Sequence, residues 1–168
     1  MNELILSILV HNSSGVLTRV SSLFARRGYN IDSLTVGPTN DPEISRMTVV
    51  AQGDERILEQ IEKQLRKLED VIEIFTLPRD SSVYRELVLV KVESDVSTRA
   101  DIVSIVDIFR AKIVDVSPDS MVIEISGHQD KLQSFLDVIA DDYQILELAR
   151  TGLTGLTRGS EDVFMIEW

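Results

Sequence analysis

One succession of elements is written twice along this chain of 168 residues: strand, helix, strand, strand, helix, strand, restarted near residue 84. A repeated unit of this kind has few folds open to it, because each copy must bury the apolar stripes of two helices against one short sheet. In the first copy, Leu4 to Val10 is a run of β-formers broken by Ser7, and the turn Asn12-Ser13-Ser14-Gly15 follows it. Val16, Val20, Leu23 and Phe24 recur at helical spacing. With Ser and Asn upstream as N-cap candidates and Arg26-Arg27-Gly28 as a stop, the spacing predicts a helix from Gly15 to Arg27. Ile31 to Val36 reads as a second strand, and the turn cluster from Gly37 to Pro42 reverses it into Ile44 to Ala51. Ile57, Ile61, Leu65 and Leu68 stripe a second helix, on which Glu59 faces Lys63, and Val71 to Leu77 closes the copy.

The second copy opens with a strand from Glu86 to Glu93 and a helix marked by Ile102, Val106 and Phe109. Strands Ile113 to Val116 and Met121 to Ser126 follow, then a helix marked by Leu132, Phe135, Leu136 and Ile139, and a last strand from Ile145 to Ala149. The order predicts an α+β fold: two ferredoxin-like βαββαβ domains in tandem, with antiparallel sheets that carry their helices on one face. The expected boundaries are a first domain at 1–77, a linker at 78–83 set off by Pro78, a second domain at 84–151, and a mobile, glycine-containing tail at 152–168. The sheet face without helices still needs cover, which points to an oligomer, at least a dimer.

Seventeen basic residues against 28 acidic give a net charge of -11, a field that repels phosphate backbones and anionic membrane surfaces. Neither nucleic acid nor membrane is expected as a partner. The chain has no cysteine, hence no disulfide or thiolate chemistry, and the cytoplasm is the natural compartment. Leu4 to Val10 is too short to span a bilayer. His11 and His128 stand far apart without ligand-spaced partners, so no metal site is expected.

The first strand-to-helix joint is the candidate ligand site. A helix N-terminus offers unpaired N–H groups and the positive end of the macrodipole, and Gly15, having no Cβ, allows a carboxylate close approach. Asn12 can turn its amide oxygen to an ammonium group or cap the helix, and Asn30, at the entry to the second strand, has the same choice. Together they form a recognition set for a free amino acid, although Asn-x-x-Gly before a helix also suits a plain cap and turn. Arg19 and Arg46 could bind a carboxylate, but solvent-facing or ion-paired roles suit each. In the second copy the joint reads Ser94-Asp95-Val96-Ser97-Thr98, without glycine and with a carboxylate, and would serve an anion poorly.

The run Asn12-Ser13-Ser14-Gly15-Val16-Leu17-Thr18-Arg19-Val20, with Leu23-Phe24-Ala25-Arg26-Arg27-Gly28-Tyr29-Asn30-Ile31-Asp32-Ser33-Leu34-Thr35-Val36, resembles the small regulatory subunit of acetolactate (acetohydroxyacid) synthase. Ser45-Arg46-Met47-Thr48, Arg85-Glu86-Leu87 and Ala149-Arg150-Thr151-Gly152 extend the resemblance over essentially the whole chain. The resemblance implies an amino-terminal ACT domain and a carboxy-terminal domain of similar topology, with no catalytic residues. It implies a catalytic large subunit as partner, which would hold thiamine diphosphate, Mg²⁺ and FAD, so no cofactor is expected in this chain. It also implies activation of that subunit and feedback inhibition by a branched-chain amino acid, commonly valine. Asn12, Gly15 and Asn30 match effector-site positions, with Ser13, Ser14, Val16, Leu17 and Ile31 beside them, in a site formed between two ACT domains of a homodimer. A free-standing tandem-ACT sensor of another enzyme is the alternative. An acylphosphatase-like hydrolase would need an arginine-rich phosphate loop that this joint lacks.

Overall fold

The structure, a computed structural model, describes residues 2–160; the part of the expected tail at 161–168 lies outside the described residues. Its first six elements are β1 (Asn2–His11), α1 (Val16–Arg26), β2 (Ile31–Pro38), β3 (Ile44–Gly53), α2 (Glu55–Leu65) and β4 (Val71–Thr76). The strands pair antiparallel in the order β2-β3-β1-β4. α1 stops at Arg26, one residue short of the expected end, and Gly28, at φ +69°, turns the chain out while its N–H donates to the Ala25 carbonyl at 3.1 Å. Asp54 caps α2 by accepting from the Ile57 N–H at 2.9 Å. Val20, Phe24, Ile61 and Leu65 face Leu6, Ile8, Met47 and Val49 in one core, where full burial of each such side chain is worth about 1.5–3 kcal/mol.

The opposite sheet face is buried as well. Ile5, Ser7, Leu9, Thr48 and Val50, which alternate with the core positions, are all buried within the chain. Arg46 reaches across this face and donates from Nη1 to Ser7 Oγ at 2.6 Å, and burial pulls its guanidinium below the usual value. Among the described residues, β3 is the only strand that pairs with β2, which leaves the outer edge of β2 without a strand partner.

The chain divides into two compact units, residues 1–83 with 153 onward, and residues 84–152. Within the expected linker, a 3-10 turn, Arg79–Ser81, follows Pro78, and β5 begins at Ser82 (Ser82–Glu93). The second unit continues with α3 (Arg99–Ile108), β6 (Lys112–Val116), β7 (Ser120–Gly127), α4 (Gln129–Asp142) and β8 (Ile145–Arg150), in strand order β6-β7-β5-β8. Val88, Val90, Ile123, Ile102, Phe135 and Ile139 form its own core.

The segment expected to be mobile instead holds a short strand, β9 (Thr154–Thr157), and returns to the first unit. Leu153 is fixed there by two hydrogen bonds to β2. Its N–H donates to Ser33 Oγ at 2.7 Å and its carbonyl accepts from Thr35 Oγ1 at 2.6 Å, and the side chain is buried. Arg158 N–H adds a bond to the Ser81 carbonyl at 2.8 Å.

Candidate functional site

The joint between β1 and α1 is held from both sides by backbone bonds. His11 N–H donates to the Asp70 carbonyl at 2.9 Å and Asn12 N–H to the Glu43 carbonyl at 2.7 Å, so the loop hangs from the ends of three strands. No Ser or Asn side chain caps α1, contrary to the expectation from sequence. Gly15 itself is the N-cap, at φ +85°, with no side-chain cap bond, and Asn12 turns its Nδ2 to the Pro42 carbonyl at 2.8 Å. The physical reason is the left-handed backbone at Gly15, which places the preceding side chains outside the capping position. Among the described residues the N–H groups of Leu17 and Thr18 have no partner. Two donors at the positive end of a helix are thus left for an anion.

Arg19 deepens this cradle. Its Nε and Nη2 clasp Asp70 at 2.5 and 2.8 Å, which raises the guanidinium and holds the Asp70 carboxyl below its usual range. The third nitrogen, Nη1, lies 3.1 Å from where a Cβ on Gly15 would stand. A side chain at residue 15 would fill this space, and glycine leaves it to a ligand oxygen. The sequence suits Arg19 to a solvent-facing or ion-paired role, and the structure makes it ion-paired. No local pattern marks Asp70 as its partner, because the two residues are 51 apart in sequence.

Asn12, Ser13, Ser14, Gly15 and Leu17 are exposed together at this joint, whereas Val16 is buried in the first core. Asn30 and Ile31 stand elsewhere. Ile31 pairs with Ala51, which pairs with Leu4, so it is level with the start of β1, while Pro38 is level with Val10 near the joint. The 11 residues of α1 separate the two ends by about 16 Å at 1.5 Å per residue. Asn30 Nδ2 donates to Asp32 Oδ1 at 2.7 Å, and its amide oxygen has no partner among the described residues. One chain alone does not bring Asn30 to the Gly15 cradle.

Residues 6–73 match the AHAS small subunit-like ACT domain, and residues 85–159 match the family described as the small subunit of acetolactate synthase. The acetolactate synthase isozyme 3 small subunit of Salmonella typhimurium is 48% identical over 157 residues, covering 94% of this chain and 96% of the relative. The acetolactate synthase small subunit of Haemophilus influenzae is 47% identical, covering 95% and 98%. The crystal structure of the acetolactate synthase small subunit from Thermotoga maritima superposes with a TM-score of 0.88 at 40% identity, over 95% of this chain and 99% of that one. With both halves matched in order and nearly every residue aligned, the chain belongs to the family of acetolactate synthase small subunits.

Proposed function

We propose that this chain is the non-catalytic regulatory subunit of an acetolactate synthase. It binds and activates a large subunit that holds thiamine diphosphate, Mg²⁺ and FAD, and it confers feedback inhibition by a branched-chain amino acid, with valine first in order. The chain needs no cofactor of its own and works in the cytoplasm. The observation that supports an amino-acid effector is the open start of α1: the free N–H groups of Leu17 and Thr18 beside Arg19 Nη1, with no side chain on Gly15. An effector carboxylate sits in that cradle.

The ammonium end is taken by the partner copy. Among the described residues no strand pairs with the outer edge of β2, and antiparallel pairing of β2 with its copy about a two-fold axis lays the Ile31 end of one strand beside the Pro38 end of the other. That end is level with the joint, so the two-fold carries Asn30 and Ile31 of one protomer towards Asn12 to Leu17 of its partner. The dimer then has two equivalent sites, each incomplete in a single chain. Regulation follows if the effector binds one dimer arrangement better than another, and a coupling of about 1–3 kcal/mol is enough for a clear change in activity.

The test combines the full-length chain with its large subunit and measures acetolactate synthesis against valine, leucine and isoleucine. The wild-type chain should raise activity and make it inhibitable by at least one of them. Gly15→Asp places a carboxylate in the cradle, and Asn30→Ala removes the distal amide without touching the joint. Each should abolish inhibition while activation persists. Full inhibition of both variants would overturn the site, and failure of the wild-type chain to activate would overturn the regulatory reading.

A further inference from the structure

The second unit has the same joint with its polarity reversed. Ser94 N–H donates to the Asp119 carbonyl and Glu93 N–H to the Gln144 carbonyl, each at 2.9 Å, as Asn12 and His11 donate in the first unit. These bonds align Asn12 with Ser94, and the same offset aligns Arg19 with Asp101. The arginine that completes the first cradle is a carboxylate in the second. A cavity of about 320 Å³ opens at this joint, lined by Glu93, Asp95, Asp119 and Asp142 together with Ser94 and Tyr143. Among the described residues, no lysine or arginine lines it. Nearby Arg99 turns its Nη2 to the carbonyls of Ser117 and Pro118.

A second observation points to an occupant. Ser94 is 1% exposed, and its hydroxyl is buried without a hydrogen-bond partner. A buried hydroxyl left unmade is costly, and here it sits in the wall of an acidic cavity where a cationic N–H donor would satisfy it. Desolvation and the carboxylates of Asp101 and Asp142 raise the Tyr143 phenol, in keeping with a negative field. Among the described residues no three acidic or histidine side chains are grouped so as to hold a metal ion. Beside the cavity, Asp95 Oδ1 accepts from Ser97 N–H at 2.8 Å and Thr98 N–H at 3.0 Å, a tight turn that leaves Val96 87% exposed. An apolar tip next to an acidic hollow fits a long basic side chain, whose alkyl stem packs on one and whose head enters the other.

We propose that this hollow receives an arginine or lysine side chain of the catalytic subunit, with Val96 packing against its stem. The inference rests on the regulatory-subunit reading above and names the part of the second unit that docks. The test is the affinity of the full-length chain for its large subunit, measured by biolayer interferometry at low and high salt. Neutralising the hollow with Asp119→Asn plus Asp142→Asn, two side chains that join no ion pair among the described residues, Asp119 accepting only a long bond from Ser120 Oγ at 3.5 Å, should weaken binding by about tenfold or more and flatten its salt dependence. Ser94→Ala should weaken binding in the same direction, whereas Glu59→Gln, on α2, should leave it unchanged.

Wild-type affinity and salt slope in the double variant would overturn the proposal while leaving the regulatory reading in place. A wild-type chain that does not bind the large subunit would remove both. Calorimetric binding of spermidine, lost in the double variant while large-subunit affinity is unchanged, would make the hollow a small-amine site and would equally overturn docking.

Discussion

At the scale of single residues, the two joints differ in how their carboxylates and glycines are used. Asp95 is pulled down to about 2 from its ordinary 3.8, first by the Ser97 hydroxyl and then by the Thr98 and Ser97 N–H groups. A folded pKa below the unfolded one means that ionised Asp95 contributes stability in full above about pH 4, and that this is lost as pH falls through about 2. Asp95→Asn keeps an acceptor oxygen and removes the charge, so it should be less stable than wild type at pH 6 or so, and the gap should close at about pH 2 in urea titrations. A gap independent of pH would show that the turn does not depend on the charge. Gly15 is legible in sequence because a missing side chain is itself a sequence fact, and so is the carboxylate that Asp95 brings to the second joint. The Arg19–Asp70 clasp is not legible, since only the return of β4 to the edge of β1 brings those residues together.

At the scale of elements, strands with their own apolar alternation were readable and those defined by a partner were not. Leu4 to Val10 and Val88 to Val92 announce themselves, and both sit in the middle of their sheets. β9 has four residues with a glycine among them, and its Leu153 anchor depends on Ser33 and Thr35 more than a hundred residues earlier. Leu153→Ala should destabilise the first unit by about 2–5 kcal/mol, read by chemical denaturation, as expected for truncating a buried leucine. No measurable loss would mean that the tail only rests on the surface. β2 makes a separate prediction. Val36→Asp sets one added carboxylate per copy into the proposed seam, and sedimentation should shift from dimer to monomer. An unchanged dimer would place the two-fold interface elsewhere.

At the scale of the molecule, each unit has its own core, and this bears on cooperativity. Residues 84–152 include all twelve members of the second buried cluster, so this fragment should fold alone with one thermal transition by circular dichroism. A fragment that stays unfolded would show that its core is insufficient. The first unit is different because it is not contiguous: it needs Leu153 and β9 from the far end of the chain.

By itself, the order of apolar residues determined the duplicated βαββαβ plan, because periodicity is local and each helix stripe or strand alternation is written within a dozen residues. The same is true of the glycine that bares one helix start and the aspartate that closes the other. Tertiary structure alone decided that Gly15 is the cap, that Arg19 hangs over it from Asp70, that Asn30 stands at the opposite end of the sheet, and that the helix-free face is already buried. Those facts depend on strand register and on long-range closure of the chain, which no local pattern of residues encodes.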